Sequence, residues 1–122
     1  MNKRILVIED QEDNRCILRD LLTSAGFELI EAVTGEEGVA KAQTDRPDLI
    51  LMDLSIPGVD GWEVTRRLKS LEQSKAIPII ALTAHAMRGD EERAIQAGCD
   101  GYLAKPISPK KVVEEVKRYL KI

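Results

Sequence analysis

PDLILMDLSIPGVDGW, residues 47–62, is the stretch that decides the fold. Leu49, Ile50, Leu51 and Met52 form an unbroken apolar run, too short for a core helix and apolar on both faces, as in a strand covered from both sides. Strands of that kind belong to parallel sheets whose crossover helices pack on both faces. The run then ends on a carboxylate, Asp53, followed by Leu54 and a Pro-Gly turn. A strand built for the core that finishes on an acid poses a chemical question as well as a structural one.

Outward from this run, strand-like and helix-like segments alternate along the whole chain. RILVIE (4–9) is a β run, and residues 13–25 place Ile17, Leu18, Leu21, Leu22 and Ala25 on one helical face, stopped by Gly26. ELIEAV (28–33) alternates like a half-buried strand, and Thr34 with Glu37 has the spacing of a capping box that opens a helix to about Thr44. After the strand over 48–53, Asp60 and Glu63 repeat the cap spacing, with Val64, Leu68 and Leu71 as the buried stripe. IPIIALTA (77–84) is a fourth strand, residues 88–97 a shorter helix ended by Gly98, and GYLAK (101–105) a fifth strand. Ser108-Pro109 is an N-cap with an N1 proline, and Val112, Val113, Val116, Tyr119 and Leu120 line the last helix. Five βα units without linker or repeat predict a doubly wound α/β fold, a five-stranded parallel sheet in the order 2-1-3-4-5 with helices on both faces.

Bulk properties bound the function. The 122 residues suit one domain, 1–122, with no room for an output domain after the last helix. A net charge of -3 and 3% aromatic residues favour neither nucleic acid nor an acidic membrane as a partner. No apolar run approaches the ~18 residues of a membrane span, and MNKRILVIED turns acidic too early for a signal peptide. Cys16 and Cys99 lack metal or redox spacing, so they read as reduced thiols of a cytoplasmic protein.

In a sheet of this order the crevice lies beyond the carboxyl ends of the strands, where the order reverses between the first and third. The strand ends bring Glu9, Asp10, Asp53, Thr83, Ala84 and Lys105 to that edge. Each alone is an ordinary strand-end or turn residue. Together they are an electrostatic problem, because two carboxylates ~4 Å apart repel by roughly 4 kcal/mol at an effective dielectric near 20. Lys105 offers one compensating charge, and a divalent cation would offer two more. Oxygen donors, with His85 the only histidine, suit Mg²⁺, Mn²⁺ or Ca²⁺ rather than Zn²⁺. Mg²⁺ usually takes one or two carboxylates together with phosphate oxygens and water, which leaves room for a phosphoryl group. Asp53 then reads as a nucleophile that forms an aspartyl phosphate, with Mg²⁺ and Lys105 neutralising the transferring oxygens.

These residues resemble a known family. VIED (7–10), LILMDLSIPGVDGWE (49–63), PIIALTAHA (78–86) and GYLAKPIS (101–108), in that order, are similar to bacterial two-component response-regulator receiver domains over essentially the whole chain. AMRGDEERAIQAGCDGYLAKPIS is most like the DivK-like single-domain regulators and the receivers attached to hybrid histidine kinases. The resemblance implies a flavodoxin-like fold in which Asp53 is the phosphoacceptor. It implies Mg²⁺ held by Glu9, Asp10, Asp53 and the backbone carbonyl of Ser55. Thr83, the Ala84 N–H and Lys105 would contact the phosphoryl group, and Thr83 and Tyr102 would act as the switch. Lys105-Pro106 would be a cis peptide. The expected partners are a sensor histidine kinase or histidine phosphotransfer protein and a downstream protein target. That target would be met on the face built from the helix over 88–97, the fifth strand and the last helix, with the protein a monomer or weak homodimer.

Glu9 departs from the aspartate of many members; its extra methylene admits contact with the metal through water. Ser55 and His85 supply no evident acid or amide to orient an attacking water, so slow dephosphorylation is expected, and a phosphoryl lifetime of seconds would contradict it. His85 as a phosphohistidine site is disfavoured, since such a residue projects from a helical bundle. A phosphatase with an Asp-x-Asp nucleophile on the first strand does not fit EDQED (9–13), and a flavin phosphate loop does not fit the acids there.

Overall fold

Residues 3–53, 61–83, 96–104 and 108–122 are described by the structure, a computed structural model, with the backbone alone at 61, 62 and 83. The strands are β1 (Arg4–Ile8), β2 (Glu28–Ala32), β3 (Leu49–Asp53), β4 (Ile79–Thr83) and β5 (Gly101–Ala104). The helices among the described residues are α1 (Glu12–Ser24), α2 (Gly35–Thr44), α3 (Gly61–Ser70) and α4 (Pro109–Leu120). The sheet is five-stranded and parallel, in the order β2-β1-β3-β4-β5. The helix expected over 88–97 falls largely outside the described residues; Gln96 and Ala97 are helical, and Gly98 turns with φ +105°.

The two-residue period of the strands divides the core into two layers. Leu6, Ile8, Ile50, Met52, Ile79 and Ala81 face α2 and α3, meeting Val39, Ala42, Val64 and Leu68, with Cys99 buried among them. Ile5, Val7, Leu49, Leu51, Ile80, Leu82 and Leu103 face the other way, onto Leu18 and Leu22 of α1 and Val112 and Val116 of α4. Leu49 through Met52 are fully buried, as an apolar run with helices on both sides requires. Burial pushes the Cys99 thiol up to about 11, so at neutral pH it packs as an unionised apolar group.

Local chemistry sets most boundaries. β4 starts at Ile79 because Pro78 has no N–H for the ladder, although its carbonyl still accepts from Ile50 N at 2.9 Å. α1 ends in a Schellman motif: Gly26, with φ +95°, donates to Thr23 O at 3.0 Å, and Phe27 N donates to Leu22 O at 3.0 Å. At α2, Thr34 Oγ1 accepts from Glu37 N at 3.1 Å, but Glu37 Oε1 answers to Val33 N at 2.6 Å rather than to the cap residue's own N–H. Ser108 stands at the N-cap of α4 without a side-chain cap bond, so Pro109 at the first helical position carries that start. Ile17 departs from expectation, being 58% exposed. It shares a helical face with Asp13, Asp20 and Ser24, all exposed, whereas the sheet is met by the neighbouring stripe of Leu18 and Leu22.

An ion cluster fastens α1 to β2. Arg19 grips Glu31 through two bonds, Nε to Oε2 at 2.9 Å and Nη2 to Oε1 at 2.7 Å, and Arg15 Nε lies 3.6 Å from Oε1. The Arg19 bond, reinforced by the charges of Arg19, Arg15 and Lys41, holds the Glu31 carboxyl below the usual carboxylate range against the opposing effect of burial. A second knot lies at the amino edge of the sheet, where Lys69 Nζ meets Asp100 Oδ2 at 2.8 Å and Ile77 O at 2.9 Å.

Two outcomes are expected. A Cβ at Gly38 would lie 2.7 Å from Ile8 Cγ1 and closer still to Cδ1, and Ile8 is fully buried and β-branched, with no room to swing away. Gly38→Ala should therefore cost about 1 kcal/mol in urea unfolding, the balance of roughly 2 from overpacking and about 1 regained in helix propensity. Ile8→Val in the same chain should recover part of the loss, with a coupling of about 0.5 kcal/mol or more; strictly additive losses would contradict the contact. Glu31, with its folded pKa lowered from 4.5, contributes stability that is fully present above pH 4.5 and is lost as pH falls through the folded value. The stability gap between wild type and Glu31→Gln should narrow on acidification below pH 4.5, and a gap independent of pH would contradict the assignment.

Candidate metal and phosphoacceptor site

The register of β1 and β3 builds the site. Ile8 pairs with Met52, so the next residues along, Glu9 and Asp53, emerge side by side at the carboxyl edge. Asp53 pairs with Leu82 of β4, which brings the backbone of Thr83 to the same edge, and Thr83 pairs with Ala104 of β5. Asp10 follows Glu9 into the turn before α1. One oxygen from each of Glu9, Asp10 and Asp53 lies within 4.8 Å of the others. Glu9 and Asp53 are each 1% exposed, and Asp10 is half-buried. The three acids singled out in the sequence are thus brought together.

The start of α1 shapes this cluster. Gln11 is the N-cap residue, and its N–H donates to Glu9 Oε1 at 3.1 Å. Asn14 Nδ2 reaches the same oxygen at 3.4 Å. The open N–H groups and positive pole of the helix face the acids, which lowers the cost of keeping them charged. Arg15 Nη1 donates to the carbonyls of Glu9 and Asp10, each at 3.0 Å. Gln11, Asn14 and Arg15 were not singled out by sequence reasoning. The available signal was positional: with Gln11 as N-cap, Asn14 stands at the third helical position, whose side chain folds back over the helix start.

The donor set fits a hard divalent cation. All three groups are carboxylates, as Mg²⁺ prefers, and two oxygens on opposite sides of Mg²⁺ at ~2.1 Å are ~4.2 Å apart. Neighbouring oxygens on Mg²⁺ are ~3.0 Å apart, so a cluster within 4.8 Å would close inward on such an ion, or keep one contact through water. Glu9 Oε1 is the oxygen that accepts from Gln11 N and Asn14 Nδ2.

Of the other residues expected here, Ser55, Ala84, His85, Lys105 and the Lys105-Pro106 peptide lie outside the described residues, as does the side chain of Thr83. Tyr102 is half-buried on β5, in register with Ala81, and packs against the layer under α2 and α3. Among the described residues no helix is long and apolar enough to cross a membrane.

Comparison with known proteins bears directly on this arrangement. The response regulator receiver domain family matches residues 5–117. The polar-differentiation response regulator DivK of Brucella ovis is 47% identical over 120 residues, 98% of either chain. The receiver domain of a sensor histidine kinase from Pseudomonas aeruginosa, solved with a magnesium ion coordinated in its active site cleft, is 35% identical over the full length of both chains, with a TM-score of 0.92. The chemotaxis protein CheY4 of Vibrio cholerae is 28% identical with a TM-score of 0.92, covering 98% of this chain and 99% of its own. With the fold, the acidic cluster and the match over residues 5–117 in agreement, the chain belongs to the response regulator receiver domains of two-component signalling.

Proposed function

We propose that the protein accepts a phosphoryl group on Asp53 from a sensor histidine kinase or a histidine phosphotransfer protein, and signals by protein contact. The observation that carries this reading is the clustering of three carboxylates at the switch point of the sheet, with Asp53 fixed on a buried strand. An Asp53 carboxylate oxygen forms a bond to phosphorus as the bond from phosphorus to the donor's imidazole nitrogen breaks, and the electron pair leaves with the imidazole. Asp53 suits this step because β3 fixes its backbone between two paired strands, so the nucleophile is oriented before the donor arrives. Mg²⁺ held by Glu9, Asp10, Asp53 and the Ser55 carbonyl would supply the positive charge that the equatorial phosphoryl oxygens require. Lys105, the Thr83 hydroxyl and the Ala84 N–H are proposed to complete the contacts to those oxygens, on the strength of the family resemblance.

The charge gained on Asp53 biases a two-state surface through Thr83 and Tyr102. The proposed output face combines the segment over 88–97, β5 and α4. A shallow cleft of about 360 Å³ between β5 and α4, lined among others by Tyr102, Leu103, Lys111 and Glu115, supports a protein partner there. The protein acts as a cytoplasmic monomer or weak homodimer and serves as a phosphoacceptor rather than a multiple-turnover enzyme.

Incubation with acetyl phosphate and Mg²⁺, read by intact mass, tests the reading. One phosphoryl group should appear on the wild type, none on Asp53→Asn, and none after chelation of the metal. If the wild type gains nothing and also fails to bind beryllofluoride with Mg²⁺, the phosphoacceptor role is overturned in favour of a constitutive binding module.

A further inference from the structure

The guanidinium of Arg15 occupies an unusual place for a cation near an acidic site: its bonds to that site are to backbone carbonyls, and its carboxylate partner lies elsewhere. Nη1 donates to Glu9 O and Asp10 O, each at 3.0 Å. Nε lies 3.6 Å from Glu31 Oε1, with the Arg15 side chain only 15% exposed. Glu31 is in turn fixed from two sides, its carboxylate by the Arg19 fork and its carbonyl by Lys41 Nζ at 2.5 Å. The relay runs from α1 and α2, through β2, back to the turn that bears the two acids.

Position along α1 explains the geometry. With Gln11 as N-cap, Arg15 is the fourth helical residue and Asp10 the residue before the cap. These two positions commonly meet in an apolar contact that fixes the angle at which the chain enters the helix. Here the same pair meets through hydrogen bonds, and the guanidinium reaches one residue further back to Glu9.

From this we infer that Arg15 is a positioning residue for the metal, holding the Glu9-Asp10 turn in its ligating conformation while Glu31 and Arg19 hold Arg15. The inference rests on the metal-dependent reading of the acidic cluster. Its chemistry is that of groups outside the direct ligands that orient them, whose removal typically weakens metal binding by 10–100-fold. A guanidinium is suited to it because it stays charged and presents a rigid planar fork, whereas an ammonium is a flexible point donor. By donating to the carbonyls of Glu9 and Asp10, Arg15 braces the turn itself.

Two accounts of Arg15 give opposite signs. If it acted only by its charge, removing a cation beside a Mg²⁺ site would tighten binding. If it positions the turn, removing it loosens binding despite the gain in negative potential. The experiment is calorimetric titration of the whole protein with MgCl₂, for wild type, Arg15→Ala, Arg15→Lys, Glu31→Gln and the double variant Arg15→Ala/Glu31→Gln, with thermal melting in EDTA to establish that each is folded. Arg15→Ala is expected to weaken Mg²⁺ binding about tenfold. Arg15→Lys, which keeps the charge and the stem, should also weaken it, and Glu31→Gln should have little further effect once Arg15 is gone. Unchanged or tighter binding by folded Arg15→Ala, or by Arg15→Lys where the alanine variant does not fold, overturns the inference. A wild type that takes up no Mg²⁺ overturns instead the metal reading on which it rests.

Discussion

The parallel pairing of β1 with β3 forces like charges together. With Ile8 opposite Met52, Glu9 and Asp53 have no choice but to leave the sheet as neighbours, and Asp10 follows at the next residue. Repulsion between two such carboxylates is of the order of 4 kcal/mol at ~4 Å and an effective dielectric near 20. Full burial of Leu49, Ile50, Leu51 and Met52 contributes about 1.5–3 kcal/mol each, and β1 adds a comparable run. The apolar register therefore prevails over the acidic ends, and the acids remain where the core puts them. The fold holds a concentration of negative charge that neither strand would assemble alone, and a divalent cation is the natural counter-charge.

Among the described residues, the cations of α1 and α2 bond elsewhere than to the carboxylates of the cluster. The start of α1 offers the Gln11 N–H and the Asn14 amide to Glu9, which stabilise the carboxylate without neutralising it. The nearest described cation of α1, Arg15, spends its donors on carbonyls and lies against Glu31. Arg19 and Lys41 are likewise committed to Glu31, on the flank of the sheet. The second ion knot, Lys69 with Asp100, is at the opposite edge, tying α3 to the amino ends of β4 and β5.

Much of this was legible in the sequence for identifiable reasons. The runs at 4–8, 49–53 and 79–83 are apolar on both faces, which predicts a sheet with helices on both sides, and alternation with helical segments predicts the strand order. Strand ends are readable to within a residue or two, so Glu9, Asp10 and Asp53 could be placed at one edge before any coordinates. The Arg15–Glu31–Arg19 relay could not, because it depends on how α1 rotates over β2, and the partners lie 12 to 16 residues apart with no motif between them. The same rotation put Ile17 into solvent, where periodicity alone had grouped it with Leu18. The Lys69–Asp100 pair, 31 residues apart, carries no local signal. The reciprocal bond of Glu37 to Val33 shows that spacing locates a cap but does not choose which N–H completes it.

On the proposed function, the acids gathered by the β1–β3 register form one site for a divalent cation and a phosphoryl group on Asp53. Its most direct test is a crystal grown with Mn²⁺ and beryllofluoride, examined by anomalous difference density. The account predicts a single strong manganese peak among Glu9, Asp10 and Asp53, with beryllofluoride bonded to an Asp53 oxygen. A manganese peak elsewhere, or an unmodified Asp53 beside an occupied metal site, would contradict it.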